Sequence, residues 1–205
     1  PANIFGRSAP SDYSLTDYTP INETWEALND LVKQGKVRHI GVSNETPWGL
    51  MQYQAAADAG HGAPIVSIQN PYNLLNRQFE VSLAEWSINE RIGLLAYSPL
   101  AFGMLSGKYL QGRQPANGRL TLFERFQRYN HPSAFKATER YVALARQYDI
   151  SPVHMALGFI HRQPFVASTI IGATTLSQLQ ENIDSLTTPM SESLLADIDL
   201  IPRDI

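Results

Sequence analysis

The sequence predicts an α/β fold built on a parallel sheet, in which four strands are adjacent and follow the order of the chain. Two observations lead to this prediction. Four apolar runs alternate with segments of helical periodicity, a pattern typical of βαβ units. Each run is continuously apolar, which is typical of strands buried on both faces. Each run also ends in small or polar residues, at the edge where α/β proteins bind ligands.

Composition and charge exclude several classes of function. The chain has 205 residues, a formal net charge of −3 and no cysteine. We therefore expect no nucleic-acid partner, no disulfide scaffold and no thiolate nucleophile. No apolar run reaches the ~18 residues of a membrane span, so we expect no membrane partner and a cytoplasmic location. The five histidines lack metal-ligand spacing, and we expect no metal site.

The first half of the chain alternates helices and strands. The patterns predict a helix over 19–36, a strand over 37–44, a helix over 47–60, a strand over 64–73, a helix over 79–92 and a strand over 93–100. In the first helix, Thr19 is predicted as the N-cap and Pro20 as part of the first turn. Gly35 is predicted to end that helix.

The second half begins with a basic, glycine-rich insertion that interrupts this alternation. The insertion covers 101–132, and it is followed by predicted helices over 133–149 and 151–163, a strand over 165–175, and helices over 176–186 and 191–201. Ser151 followed by Pro152 is typical of a capped helix start.

Polar and aromatic side chains at the first three strand ends are candidate site residues. Ser43 and Asn44 follow a buried strand, and we interpret them as part of a site rim. Gln69 and the neighbouring amides could bind another amide, or could satisfy backbone groups of their own loop. Tyr97 could stack on a flat ring, or could belong to the core.

The insertion and the fourth strand end both suit an anionic ligand. Lys108 follows two glycines that allow close approach to phosphate, although a surface lysine is the simpler alternative and no P-loop pattern is present. Positive charge is concentrated on the same insertion at Arg113, Arg119, Arg125 and Arg128.

The helix after the fourth strand carries the last group of candidates. Gly172 and Thr174 precede it, and Gln178, Glu181 and Asn182 share one of its faces. A helix start after a strand binds phosphate well. The alternative is an ordinary amphipathic helix capped by Thr174 or Thr175. A GxGxxG motif is missing, so a Rossmann site is not predicted.

Taken in order, four stretches resemble the aldo-keto reductases: "GKVRHIGVSNET", "IQNPYNLLNR", "LLAYSPLAFGMLSGKY" and "IIGATTLSQLQENI". The likeness is to the bacterial Tas-like branch, which is itself similar to the voltage-gated potassium channel β subunits. It implies a (β/α)8 TIM barrel, of which residues 1–205 form the C-terminal portion of a single domain: four parallel strands with their helices. It also implies an NADP(H) cofactor.

The resemblance implies a role for each candidate at the strand ends. Ser43, Asn44 and Gln69 would hold the nicotinamide carboxamide, and Tyr97 would stack on its ring. Ser98, Leu100 and Lys108 would line the pyrophosphate side. The adenosine end would be held by Gly172, Thr174, Gln178, Glu181 and Asn182. Many relatives carry an arginine at the position of Gln178, and Arg119 or Arg125 could cover the phosphates instead.

The family's catalytic Asp, Tyr, Lys and His lie on its first four strands, and none of them maps onto this sequence. We therefore expect no catalytic residue in this chain and no reductase activity from it alone. The function implied is hydride transfer between NADP(H) and a carbonyl or alcohol substrate. The alternatives are a non-catalytic nucleotide-binding or regulatory module, and a structural half barrel. The expected partners are a small carbonyl compound and either a second copy or an N-terminal half of the barrel.

Overall fold

A computed structural model describes residues 19–202 as an α/β protein with one four-stranded parallel sheet. The strands are β1 (Ile40–Ser43), β2 (Ile65–Pro71), β3 (Gly93–Tyr97) and β4 (Val166–Thr169). Their order in the sheet is β1-β2-β3-β4, which confirms the predicted fold class and topology. β1 and β2 pair in parallel with Ser43, the last residue of β1, opposite Gln69 of β2, so two candidate site residues lie side by side on adjacent strands.

Eight α-helices are present within the described residues: α1 (Ile21–Lys33), α2 (Pro47–Asp58), α3 (Leu83–Glu90), α4 (Arg119–Leu122), α5 (Pro132–Gln147), α6 (Pro152–His161), α7 (Leu176–Asp184) and α8 (Glu192–Asp199). The insertion predicted over 101–132 contains α4 and two short 3-10 helices, Ala101–Ser106 and Leu110–Gly112. The assignment of residues 1–205 to one barrel domain stays a prediction, and its first 18 and last three residues lie outside the described part.

The described chain divides into two compact units. The first unit runs to Asn70 and includes Glu80–Leu95, and the second unit comprises Pro71–Phe79 and the chain from Ala96 onward. In the first unit, Trp25 of α1 packs edge-on against Tyr53 of α2, with ring centroids 5.3 Å apart. Trp25 is thereby buried at the contact between the two helices.

An aromatic cluster forms part of the core of the second unit. Tyr72 packs edge-on against Phe165 at 5.3 Å and stacks with Phe159 at 6.1 Å. The Arg77 guanidinium lies 4.8 Å from the centroid of the Phe159 ring. The loop after β2 is therefore fixed against α6 and against Phe165, the residue before β4.

The predicted N-cap is confirmed for α6 and is wrong for α1. The Ser151 hydroxyl accepts a hydrogen bond from the Val153 amide at 3.2 Å, which confirms the predicted cap. The prediction that Thr19 caps α1 is wrong, because the N-cap is Pro20, with an extended ψ of 143°. Pro20 makes no side-chain capping bond, and the helix begins one residue later, at Ile21.

The prediction that all four strands are buried on both faces is also wrong. β1 and β4 are the outer strands, and two of the four residues in each are exposed. Directly after β4, Ile170 and Ile171 are 40% and 38% exposed. An edge strand has a neighbour on one side only, so its side chains are less covered than those of a central strand.

Candidate functional site

In the first unit, the ends of β1 and β2 form one hydrogen-bonded group. The Ser43 hydroxyl donates to the Gln69 carbonyl oxygen at 2.8 Å. The Asn44 side-chain amide donates to the Ser43 hydroxyl at 3.0 Å, and the Asn44 backbone amide donates to the Asn70 side-chain oxygen at 2.8 Å. Asn44 has a left-handed φ of 55°, a conformation that asparagine tolerates better than most residues. The structure thus brings together Ser43, Asn44 and Gln69.

The sequence left open whether the amides at the end of β2 bind a ligand or satisfy backbone groups, and the structure differs from one amide to the next. Asn70 accepts from the Asn44 backbone, and Asn73 accepts from the Leu75 backbone amide at 2.9 Å. Both side chains are buried, so they satisfy backbone groups. Gln69 is half-buried and lies in β2 opposite Ser43, and its side chain stays a candidate ligand.

In the second unit, the end of β3 carries a run of strained backbone. Ser98, Ala101 and Phe102 have φ values of 54°, 49° and 60°. Left-handed conformations cost residues other than glycine on the order of 1–3 kcal/mol each, and they cluster at functional sites. Tyr97 and Ser98 are half-buried at this strand end, as a site rim requires.

A buried polar network supports this strand end. The Asn73 amide nitrogen donates to the Ser98 carbonyl at 2.9 Å and to the Tyr129 hydroxyl at 3.0 Å. Burial raises the pKa of Tyr129. The Tyr97 hydroxyl accepts from the Arg128 guanidinium at 3.5 Å. Sequence reasoning missed this network, because Asn73 and Tyr129 are 56 positions apart and no motif joins them.

Lys108 is positioned by the fold of the segment that precedes it. Gly103 has a φ of +89°, and a Cβ atom there would lie 2.8 Å from Lys108 Cε and 2.9 Å from Lys108 Nζ. The ammonium also lies 5.2 Å from the centroid of the Tyr109 ring. Leu100 closes the turn, since its carbonyl accepts from the Gly103 amide at 2.8 Å. Glycine at position 103 therefore makes room for this lysine.

Lys108 also lines a pocket of about 650 Å³ within the second unit. Its other charged lining residues are Arg113, Glu139 and Arg146, which give three cations and one carboxylate. Arg113 is held by bonds from its guanidinium to the carbonyls of Leu110 and Gly107, both at 3.0 Å. This excess of positive charge suits an anionic ligand. Sequence reasoning missed Glu139 and Arg146, whose i, i+7 spacing on α5 was the signal available.

The other arginines of the insertion have a different environment. Arg119 and Arg125 lie over the Phe126 ring, at 5.4 and 5.0 Å from its centroid. Phe126 in turn packs against Phe102, with ring centroids 4.9 Å apart. These two guanidinium groups thus take part in cation–π contacts.

Side-chain hydrogen bonds cap the start of α7 and tie the preceding residue to it. The Thr175 hydroxyl accepts from the Gln178 amide at 3.2 Å, so Thr175 rather than Thr174 is the N-cap. The Gln178 side-chain oxygen accepts from the backbone amide and the hydroxyl of Thr174, at 2.9 and 3.1 Å. Glu181 accepts from the Ser151 hydroxyl at 3.0 Å. Asn182 is buried, and Gly172 is exposed.

Within residues 19–202, no group of three His, Asp or Glu side chains is placed to hold a metal ion. None of the helices in this part of the chain is both long and apolar enough to cross a membrane.

The parallel strands and their polar carboxyl ends define an α/β protein of the kind that binds its ligand at the strand ends. The model of the Aldo/keto reductase family matches residues 13–202. The chain therefore belongs to the aldo-keto reductase family, and the resemblance noted from the four stretches is confirmed.

Individual relatives agree with this assignment. The chain is 51% identical over 204 residues to "Protein tas" of Escherichia coli (strain K12), covering 98% of this chain and 58% of that protein. It is 40% identical over 193 residues to "Aldo-keto reductase" of Babesia bovis, covering 91% of this chain and 66% of the relative. It is 31% identical over 196 residues to "L-glyceraldehyde 3-phosphate reductase" of Escherichia coli O157:H7, covering 91% and 56%. The chain thus spans about three-fifths of the length of these relatives.

Proposed function

We propose that this chain forms the cofactor-binding part of an NADP(H)-dependent aldo-keto reductase. The reaction is hydride transfer between the nicotinamide and a carbonyl or alcohol substrate. The observation that carries the proposal is the end of β3, where strained backbone after Tyr97 leads to Lys108 and its cationic pocket. An aromatic ring suits the nicotinamide, and a cluster of cations suits the phosphates of the dinucleotide.

The donor set fits such a cofactor. Ser43, Asn44 and Gln69 offer hydroxyl and amide groups, which match the donor and acceptor of a carboxamide. The Tyr97 ring offers a stacking face. Gly103 makes room for Lys108, because a Cβ atom at position 103 would lie within 3 Å of the end of that side chain. The Lys108 ammonium is suited to bind a phosphate oxygen.

The adenosine end of the cofactor falls to the last strand and α7. Thr174 and Gln178 form a polar pair, and Glu181 is oriented by Ser151. Gly172 leaves open space at the start of this segment, since a Cβ there would meet nothing within 4 Å. When bound, the nicotinamide supplies the hydride. In this proposal the candidate residues of this chain bind and orient the cofactor.

Comparing the two nicotinamide cofactors tests the proposal. We expect the purified protein to bind NADPH more tightly than NADH at low salt, by roughly tenfold to a hundredfold, because one charge-assisted hydrogen bond contributes about 1.5–3 kcal/mol. Lys108→Met removes a cation that lines the pocket, and we expect it to weaken the binding of both cofactors, because both carry a pyrophosphate. Fluorescence titration measures both dissociation constants, and equal values for the two cofactors refute the preference.

The two alternative functions give different results in the same titration. A nucleotide-binding or regulatory module binds NADPH and reduces no carbonyl compound, even when the protein spans the full length of its relatives. A structural half barrel binds neither cofactor. Our proposal includes a small carbonyl substrate, a cytoplasmic location and a partner that is either a second copy or an N-terminal half of the barrel.

A further inference from the structure

The insertion after β3 returns to the end of that strand through two adjacent residues, Arg128 and Tyr129. Arg128 is half-buried, and its guanidinium donates to the Tyr97 hydroxyl at 3.5 Å. Tyr129 is buried, and its hydroxyl accepts from the Asn73 amide at 3.0 Å. Neighbouring residues of one loop thus contact the strand end in two different ways.

Asn73 joins these contacts to the backbone beyond Tyr97. The same amide nitrogen that reaches Tyr129 donates to the carbonyl of Ser98 at 2.9 Å. The Tyr97 carbonyl accepts from the Tyr72 amide at 3.3 Å. The backbone of Tyr97 is therefore held through its own carbonyl and that of Ser98, and its ring is held at the hydroxyl.

The chemistry of the two loop residues suits a permanent restraint. An arginine guanidinium keeps its charge at all physiological pH values, so it always remains a donor to Tyr97. Burial raises the pKa of Tyr129, so its hydroxyl stays protonated at neutral pH. If these residues only fixed the loop, Arg128 would not need to contact the hydroxyl of Tyr97, whose ring is half-buried at the strand end.

We infer that Arg128 and Tyr129 are positioning residues that hold the Tyr97 ring in its place at the end of β3, and thereby position the nicotinamide that stacks on it. This inference rests on the proposed function. Stacking depends on where the two rings lie relative to each other, and a ring held in place before binding loses less conformational freedom on binding. The insertion thus has a function at the nicotinamide end, beside its cationic groups.

A comparison of two ligands separates positioning from general folding. We would measure dissociation constants of NADP⁺ and of 2′,5′-ADP, which lacks the nicotinamide, for wild type, Arg128→Met and Tyr97→Phe. We expect Arg128→Met to weaken NADP⁺ binding about fivefold to twentyfold and to change 2′,5′-ADP binding less than about twofold. Arg140→Met, an exposed arginine of α5, serves as the control and leaves both constants unchanged.

A double variant tests whether Arg128 acts through the Tyr97 hydroxyl. If it does, Arg128→Met combined with Tyr97→Phe loses no more NADP⁺ affinity than Arg128→Met alone. Tyr129→Phe removes one hydroxyl and provides a milder test should Arg128→Met fold poorly. We expect it to show the same selective loss of NADP⁺ binding.

The contrary outcomes are distinct. Unchanged NADP⁺ binding in Arg128→Met and Tyr129→Phe, equal losses for both ligands, or additive losses in the double variant overturn the positioning role while the proposed function stands. Failure of the wild type to bind NADP⁺ or 2′,5′-ADP overturns the proposed function itself, and the inference with it.

Discussion

At the scale of single residues, the end of β3 depends on buried polar groups that support one another. Asn73 uses both ends of its side chain, donating to Ser98 and Tyr129 and accepting from Leu75. Its partners are themselves buried or half-buried, so each bond lost leaves a polar group without its partner. A single side chain thus fixes a turn and anchors a distant loop.

Replacing Asn73 with leucine is expected to destabilise the protein strongly. The substitution leaves the Tyr129 hydroxyl, the Ser98 carbonyl and the Leu75 amide without this partner, at a cost of about 2–4 kcal/mol in the free energy of unfolding. Urea denaturation measures the loss. The control is Asn89→Leu on the exposed end of α3, where we expect a change within about 0.5 kcal/mol. Similar losses in both variants would contradict the importance of the network.

Gly103→Ala should affect both stability and ligand binding. The left-handed φ of Gly103 costs alanine about 1–2 kcal/mol, and the new Cβ would displace the end of the Lys108 side chain. Gly60→Ala is the matched control, because Gly60 has a φ of +76° and open space around its Cβ position. We expect both variants to lose similar stability in urea and only Gly103→Ala to lose NADPH affinity in titration. Equal NADPH affinities would show that Lys108 is not set by this glycine.

His161 gives the stability a dependence on pH. Burial lowers the pKa of His161 below its usual 6.5, and within the described residues its Nδ1 atom has no hydrogen-bond partner. The unfolded chain therefore takes up a proton first as the pH falls. Stability should decrease from about pH 6.5 down to the folded-state pKa, and be constant above that window. Urea midpoints across pH 5–8 measure this, and His161→Leu should remove that part of the slope.

At the scale of elements, the features that could be predicted from the sequence are those that depend on a local pattern of residues. All four strands, their order and the Ser151 cap of α6 follow from apolar runs and from residue types at helix starts. The exposure of β4 could not be predicted from its apolar sequence, because burial depends on what packs against a strand. The link from Asn73 to Tyr129 is likewise a tertiary contact without a local signal.

The start of α6 connects helix capping to the candidate site. Ser151 caps its own helix and also donates to Glu181 of α7. We expect Ser151→Ala to cost about 1 kcal/mol or more and to weaken NADPH binding, because Glu181 loses the group that orients it. Ser191→Ala removes the cap of α8, whose hydroxyl accepts from the Leu194 amide at 3.2 Å, and serves as the control. Thermal unfolding and cofactor titration would show similar stability losses but a loss of affinity for Ser151→Ala alone.

At the scale of the whole molecule, the candidate residues form a set suited to holding and orienting a ligand. The polar groups at the strand ends are hydroxyls, amides and cations, which hold and orient a ligand. The carboxyl group of Glu181 is already bonded to Ser151. The chain covers 58% of the length of its Escherichia coli relative, so a division of labour between this chain and the remaining length follows from our proposal.

The 205-residue chain alone should therefore bind NADPH weakly and reduce no carbonyl compound. Loss of a general acid typically costs 10²–10⁴-fold in rate, and the groups that tune its pKa would be missing as well. The assay uses NADPH and a reactive aldehyde, and compares this chain with a version extended upstream to the full length of its relatives. Tyr97→Ala is made in both versions as a control. Turnover that this substitution leaves unchanged comes from a contaminating host reductase. Comparable turnover by the two versions, abolished by Tyr97→Ala, would place the catalytic groups within this chain and contradict the assignment of its strand ends to cofactor binding alone.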